Sequence, residues 1–476
     1  MRTALGGVAR HVARGYFRAK NAVRTLRLAA KHTKIAKKSF VPLCVLGAFV
    51  VVLLSQAPYA WRRFYVYPRT EAALAALGRQ RAPAEPRADG LIDLRGIIHC
   101  HSDLSHDSMG TPEEIIAAGQ RAGVDYLIMT DHFGWLTDAE VIRRGLRGEH
   151  GGILFIVGAE MRDGVMPLFL NRPPDRYDPH EPLQGYVNDL RALGAVVFLD
   201  HPDDPRRRWD IQGWTGMEMY NLHADARRTN LSLYSRISEQ LWSMDRYPLR
   251  VYYRIFREPR EYLALWDRFT TRRRVVGIAG NDAHQNNGAR LVVRADGALA
   301  LTDTSGNIHK APWLVLADPL SRLLGRWLFG GLTPGRTLWR VDADLYERTF
   351  RFVSTHLLAS SKTESGLRRA LEEGHAYVAF DSLAAAAGFD FALRQAGARR
   401  AIMGDEVAFG PQQVLEARVP VEAVLRLVRG GRVIRQQTAC RLLFPVHSPG
   451  VYRIEAHLPV RGELLPWIYS NPIYVR

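Results

Sequence analysis

Two short motifs carry residue types and a spacing that suit metal chemistry: His99-Cys100-His101 and Asp282-Ala283-His284. Each follows an apolar run that reads as a β-strand. In a strand, residues i and i+2 point to the same face. Each motif would therefore aim two ligand-type side chains at one point and turn its middle residue, Cys100 or Ala283, the other way. Two histidines on one strand are also compatible with an ordinary structural role, so the pattern has to be read jointly. His106, Asp107, His132, Glu160, His201 and His223 lie, like the two motifs, at or just past the ends of predicted strands. Asp131-His132 and Asp200-His201 set a carboxylate beside an imidazole, a pairing that often orients a metal-bound ring from behind. Mixed imidazole and carboxylate donors suit Zn, Mn or Fe rather than Ca or Mg alone. Seven His and three acids exceed what one ion can use, so two or three divalent metals sharing a bridging carboxylate are expected.

The elements that must deliver these groups alternate strand and helix. Strands are predicted over 92–100, 126–130, 153–158, 195–199, 216–220 and 275–279. Thr111-Pro112-Glu113-Glu114 is a capping box with Pro at the first helical position, and Gly123 ends that helix. A second helix is predicted over 182–193. Repeated strand–helix units favour a parallel sheet or barrel, and in such folds functional groups gather beyond the C-terminal strand ends. Residues 225–273 read as helical. Residues 286–345 carry little regular pattern apart from apolar runs at 313–316 and 320–331. There Leu323, Leu324, Trp327, Leu328 and Phe329 suit a packed satellite helix, with a bilayer contact as the alternative. A helix over 364–373 and a strand over 376–380 are expected to complete the barrel. From about 387 the texture turns to short alternating segments, as in a small antiparallel β-sandwich.

The net charge of +17 is concentrated at one end: residues 1–38 hold eleven Lys/Arg and no acid, and the first acid is Glu71. The rest is only mildly basic, so no nucleic-acid partner is expected. The basic tail runs into residues 40–57, which are uncharged and near the minimum length for a membrane span. A dense basic flank sets orientation. The expectation is a single-pass membrane protein with its N-terminus in the cytoplasm, its body outside, and contact with anionic lipid through the tail. Cys44, Cys100 and Cys440 are the three cysteines, and they form no disulfide framework. The organisation expected is a basic tail over 1–38, an anchor over 39–60, a linker over 61–90, a metallohydrolase barrel over 91–384 with insertions at about 225–273 and 286–345, and a β-sandwich over 385–476.

His-Cys-His-Ser102, Ser-His-Asp107, Thr-Asp-His132, Gly-Ala-Glu160, Asp-His-Pro202 and Asn-Asp-Ala-His284 together resemble the successive motifs of the PHP (polymerase and histidinol phosphatase) superfamily. The closer resemblance is to its CehA/McbA-like branch, where Gly-Val-Tyr-Arg-Ile-Glu455 and Pro-Trp-Ile-Tyr-Ser-Asn-Pro-Ile-Tyr474 look like the sandwich that follows the barrel. The resemblance implies an α/β fold, a distorted (β/α)7 barrel, holding two or three metals. One metal would take His99, His101, Glu160 and Asp282. A second would share Glu160 and take His201 and His223. A third would take His132, His284 and either His106 or Asp107, because Ser-His-Asp is one residue longer than the common Ser-Asp. A metal-bound water held by Glu160, His201 and Asp282 would be the nucleophile. Arg206, Arg207, Arg208 and Arg162 could clamp a phosphate or simply be solvated. The leading function is a membrane-anchored, metal-dependent phosphoesterase acting on a small-molecule substrate. Hydrolysis of a carboxyl ester, carbamate or amide at the same site is the second reading, and a non-catalytic metal-binding envelope scaffold the third.

Overall fold

The computed structural model describes residues 50–51, 53–83, 87–133, 138–174, 180–204, 206–207, 210–229, 231–305 and 311–476. The chain divides into two compact units, 1–65 and 66–476. In the first unit, residues 53–61 are helical. The expected basic tail and much of the expected anchor lie outside the described residues, and no described helix is long and apolar enough to cross a membrane.

The second unit is a mixed α/β structure. It opens with a helix, Tyr67–Arg79, that buries Tyr67 and Leu74. Strand β1 (Ile92–Ile98) pairs in parallel with β2 (Tyr126–Met129), and β2 with β4 (Ile153–Val157), while short β3 (Gly148–His150) runs antiparallel to β4. The helix Pro112–Ala122 between β1 and β2 starts at the Thr111–Glu114 capping box and stops at Gly123, whose left-handed φ of 68° suits glycine. A second sheet holds β5 (Val165–Leu168), β6 (Val196–Leu199), β7 (Gly216–Asn221) and β8 (Val276–Gly280). Here β6, β7 and β8 are parallel and β5 is antiparallel to β6.

Short bridges join these two sheets at two seams. Gly158, just past β4, bridges Leu168 of β5, and Cys100, just past β1, bridges Ala283, just past β8. No continuous ladder runs along either seam. The free backbone N–H groups of β8 are instead satisfied by side chains. Ala279 donates to Thr355 Oγ1 at 2.9 Å, and Gly277 to Asn471 Oδ1 at 2.8 Å.

Two insertions leave this frame. Residues 222–270 form four helices, in keeping with their sequence. Residues 286–345, expected to be largely irregular, contain an antiparallel sheet of β9 (Gly288–Val293), β10 (Leu299–Thr302), β11 (Leu314–Leu316) and β12 (Thr337–Asp342), plus the helix Pro319–Phe329. These strands are short and mostly half-buried on both faces, so no polar–apolar alternation marks them.

The helix Glu364–Glu373 forms where expected, and the strand after it is β14 (Ala376–Ala379). Its partner β13 (Ser354–Ala359) runs antiparallel to β1. These strands do not complete the ring. They lead outward from β1 to the C-terminal strands, which are β15 (Asp390–Gln395), β16 (Ala398–Ile402), β17 (Glu406–Val407), β18 (Gln413–Arg429), β19 (Arg432–Pro445), β20 (Gly450–Val460), β21 (Glu463–Ser470) and β22 (Ile473–Val475). Pairing of β14 with β21 makes one sheet run from β1, β2 and β4 into the C-terminal β structure.

A buried polar network pins β1, β13 and β14 together. His356 Nδ1 lies 2.8 Å from Asp93, Tyr377 donates to Asp93 at 2.6 Å, and Arg95 donates to Asp381 at 2.9 Å. Burial disfavours a charged His356, but Asp93 and Asp381 outweigh it and raise its pKa from 6.5 to about 9. Its stabilising contribution is therefore complete below about pH 6.5 and is lost as pH rises through about 9. The size is roughly 3 kcal/mol. Wild-type denaturant midpoints should fall over that window, and His356→Gln should be less stable and fall less steeply across it. An unchanged pH slope in the variant would contradict this.

Candidate metal centre

The two opening motifs lie side by side. Their middle residues pair, with His101 N–H donating to Ala283 O at 2.9 Å and Ala283 N–H to His99 O at 3.3 Å. Cys100 and Ala283 both turn into an apolar cluster with Ile97, Leu127 and Phe155. The flanking His99, His101, Asp282 and His284 are all buried and converge with Glu160 on one centre. Strand alternation alone does not produce this. β1 ends at Ile98, and His99, His201 and Asp282 adopt left-handed φ values of 70°, 48° and 48°. Such backbone costs on the order of 1–3 kcal/mol per residue and concentrates at functional sites. A similar pairing joins His132 to Glu160.

Glu160 sits among four imidazoles. Its Oε2 lies 3.1 Å from His99 Nε2, 3.3 Å from His101 Nε2 and 3.3 Å from His132 Nδ1, and its Oε1 lies 3.2 Å from His201 Nε2. Asp282 faces the same rings from the other side. Its Oδ1 is 3.5 Å from His99 Nε2 and 3.6 Å from His101 Nε2, and its Oδ2 is 3.4 Å from His201 Nε2. Beyond them, Asp107 Oδ1 lies 3.5 Å from His132 Nε2 and 3.4 Å from His284 Nε2. His223 brings a ligand atom within 4.8 Å of Asp282 and His284, and His106 does so with Asp107 and His132. All the sequence-predicted donors thus gather in one region.

These spacings leave room for a metal, although His99 Nε2 and Glu160 Oε2 at 3.1 Å are also within hydrogen-bond reach. His101 Nε2, His284 Nε2, Asp107 Oδ1 and Asp282 Oδ1 are buried and have no hydrogen-bond partner, an arrangement that costs free energy unless something else occupies the space between them. Four donors held tetrahedrally at about 2.0–2.1 Å from an ion lie about 3.4 Å from one another. His99 Nε2 and His101 Nε2 each lie 3.1–3.6 Å from Glu160 Oε2 and Asp282 Oδ1, close to that spacing. The second oxygens of Glu160 and Asp282 meet it again with His201.

The tautomers can be read from what each ring holds on its outer side. His99 Nδ1 donates to Glu218 Oε1 at 2.6 Å. Ser105 Oγ gives its proton to Asp131 at 2.8 Å, so it accepts from His101 Nδ1 at 3.0 Å. His284 Nδ1 donates to the Asp282 carbonyl at 3.0 Å. Each of these rings then keeps its Nε2 on the inner side, where a metal would take the place of the second ring proton.

Charge is balanced within the cluster. Burial opposes charge on His99, yet Asp282, Glu218 and Glu160 raise its pKa well above the usual value. His201 and His284 are raised in the same way, His201 chiefly by Asp282 and His284 by Asp107 and Asp282. Burial would raise Glu160, but His132 and His99 hold it well below the usual carboxylate range. His223 differs: burial pushes it down to about 4, leaving a neutral ring at pH 7.

Glu218 is the functional residue that the sequence reading missed. It is fully buried, holds His99, and also accepts from the His201 backbone N–H at 2.9 Å and from Asn221 Nδ2 at 3.0 Å. A carboxylate inside the otherwise apolar strand Gly216–Asn221 was the available signal. The two carboxylates expected behind His132 and His201 act otherwise. Asp131 binds Ser102 and Ser105 rather than the His132 ring. The Asp200 carboxylate accepts no hydrogen bond, Arg207 lies 4.0 Å from it, and burial pushes it up to about 7. Asp203, 3.7 Å from His201 Nδ1, is the acid nearest that ring's outer side. Arg206 pairs with Asp204 in solvent, and Arg162 donates to the Glu181 carbonyl. Arg208 lies outside the described residues.

Beside the cluster, a cavity of about 120 Å³ is lined by His223 and Asp282 together with Leu222, Ala226, Met244, Val251, Tyr252 and Ile255, and also by Arg236, Glu239 and Asp344. The helical insertion supplies most of that apolar wall.

No family model matches the chain, and no curated protein matches it. Among solved structures, it is similar to a two-domain protein from Bacteroides vulgatus that contains a predicted PHP-like metal-dependent phosphoesterase. The identity is 14%, with 82% of this chain and 98% of that one covered, at a TM-score of 0.34. A second, from Bifidobacterium adolescentis and proposed to be a metal-dependent phosphoesterase, is 12% identical over 51% of this chain and 97% of that one, at a TM-score of 0.23. At such values neither likeness assigns an activity to this chain.

Removing a carboxylate behind a metal-bound His typically weakens metal affinity 10–100-fold. Glu218→Gln should do so for Zn or Mn, measured by competition with a chelating dye, while Glu372→Gln on the surface should not. Equal affinities would remove Glu218 from the centre.

Proposed function

We propose that this protein is a metal-dependent hydrolase, with phosphoesters as the favoured substrates. The observation that carries the reading is the set of inward-facing donor atoms around Glu160 and Asp282, 3.1–3.6 Å apart, of which His101 Nε2 and Asp282 Oδ1 have no hydrogen-bond partner. In this reading His99, His101, Glu160 and Asp282 hold one ion. Glu160, Asp282 and His201 hold a second, with His223 beside it. Asp107, His132 and His284 hold a third, with His106 at its edge. The ring of β1, β2 and β4–β8 is read as a distorted (β/α)7 barrel, and the C-terminal strands as its appended sandwich.

Bound divalent ions would polarise a phosphoryl oxygen and lower the pKa of a water. The chain supplies the rest. Glu218 and the Asp131–Ser105 pair fix the His99 and His101 rings, so the donors are organised before any ion or substrate arrives. Leu222, Met244, Val251 and Tyr252 line the same cavity as His223 and Asp282 and suit an apolar ester group. His223, held neutral at pH 7 by burial, also lines it.

Hydrolysis of a carboxyl or carbamate ester at the same centre is the second reading. One observation favours it: Arg206 and Arg162 are engaged elsewhere and do not serve as a phosphate clamp. Anchoring by residues 39–60, with the body outside the cytoplasm, is also proposed. It is supported by the eleven basic residues of 1–38 and the uncharged run that follows them.

Purified full-length protein should contain more than one equivalent of Zn, Mn or Fe by elemental analysis and should cleave aryl phosphates faster than aryl carboxylates. Chelation should abolish turnover and metal should restore it. His99→Ala with His101→Ala should cut kcat at least a hundredfold. Metal-loaded protein inert on both ester classes would overturn the enzymatic reading, and faster carboxylate cleavage would exchange its two forms.

A further inference from the structure

The helix Pro319–Phe329 rests on its small sheet through Gly325, the one buried residue of its run. A Cβ at that position would come within 2.9 Å of Leu299 Cδ1, so glycine is what lets the helix approach. With that side turned inward, Leu320, Leu323, Leu324, Trp327 and Leu328 all face outward, Leu323 being 65% and Trp327 78% exposed. The same subdomain also exposes Trp313 and Trp339. The packed satellite helix that the sequence favoured is therefore packed on its narrow side only. Exposed apolar patches of this kind mark interaction surfaces.

Charge and composition indicate what covers this one. Arg340 pairs with Asp342 at 2.8 Å, which leaves Arg322, Arg326 and Arg336 against a single acid over residues 311–339, Asp318. That acid is already used as the helix N-cap, accepting the Ser321 N–H at 2.9 Å. A short helix with Leu and Trp on its open face and arginines among them has the make-up of an element that lies in a bilayer interface, and its cations suit anionic headgroups. Chain length adds a second argument. Residues 58–65 alone separate the uncharged run ending at Ala57 from the compact unit that begins at Val66. Fully extended, they span at most about 28 Å.

We propose that the outer face of helix 319–329 docks on an anionic lipid bilayer, giving the body a second membrane contact besides the proposed anchor, on whose reading this inference partly rests. The test uses the full chain, with Cys44→Ala and Cys440→Ser, carrying Leu323→Cys or the control Glu372→Cys. Each is labelled with a polarity-sensitive fluorophore and reconstituted into vesicles of equal parts phosphatidylcholine and phosphatidylglycerol with brominated acyl chains. Docking predicts a blue-shifted, quenched label at 323 and an unquenched one at 372, with the quenching weakened in pure phosphatidylcholine. Retention on the vesicles through an alkaline carbonate wash reports the anchor separately, because a face that only docks is released by it. If the chain is retained but the 323 label stays as bright as the 372 label, this inference fails and the anchor stands. If the wash releases a chain whose 323 label was quenched before it, the anchor fails and the docking face stands. A blue shift that depends on protein density and not on lipid would assign the face to a second copy of the chain and overturn the proposal.

Discussion

Everything at the centre depends on burying Glu160 and Asp282 together. Two carboxylates removed from water repel each other and lose hydration, and they are tolerable only with positive charge at close range. The fold answers with imidazoles on every side, and the pKa shifts express that balance: the acids are held ionised and His99, His201 and His284 are held protonated. Protons are one way to meet the requirement. Divalent ions are the other, and the 3.1–3.6 Å separations between donors leave room for them.

The rest of the frame serves that balance. Pairing the two motifs through Cys100 and Ala283 delivers four donors from two strands, and pairing His132 with Glu160 adds two more. The left-handed residues His99, His201 and Asp282 turn their side chains off the strand direction and toward the centre. That backbone strain is sustained by surroundings that overdetermine it: Glu218 clamps both the His99 ring and the His201 backbone, and side chains of Thr355 and Asn471 seal β8 just before Asp282. The β13–β14 pair also explains why the core and the C-terminal strands share one sheet.

Much of this was legible in the sequence because the donors sit at strand ends and come in short motifs. The helix between β1 and β2 was legible from its capping box and terminal glycine. What stayed hidden was tertiary. Glu218 meets His99 across 119 residues, and only its presence in an apolar strand hinted that it needed a partner. The Ser105 relay depends on hydroxyl geometry that spacing does not encode. Strand periodicity carried β1 to Cys100, whereas the backbone turns at His99. The sheet β9–β12 escaped notice because its strands are half-buried on both faces. The open face of helix 319–329 could not be told from a buried one, since both are apolar.

The central claim is that the donors around Glu160 and Asp282 hold metal. Anomalous diffraction from crystals of the full chain, recorded above and below the Zn, Mn and Fe edges, tests it most directly. The account predicts at least two anomalous peaks, one bounded by His99, His101, Glu160 and Asp282 and one reached by His201, with bonds of about 2.0–2.2 Å. Crystals grown with these metals that show no peak there, with the carboxylates hydrogen-bonded directly to protonated imidazoles, would contradict it.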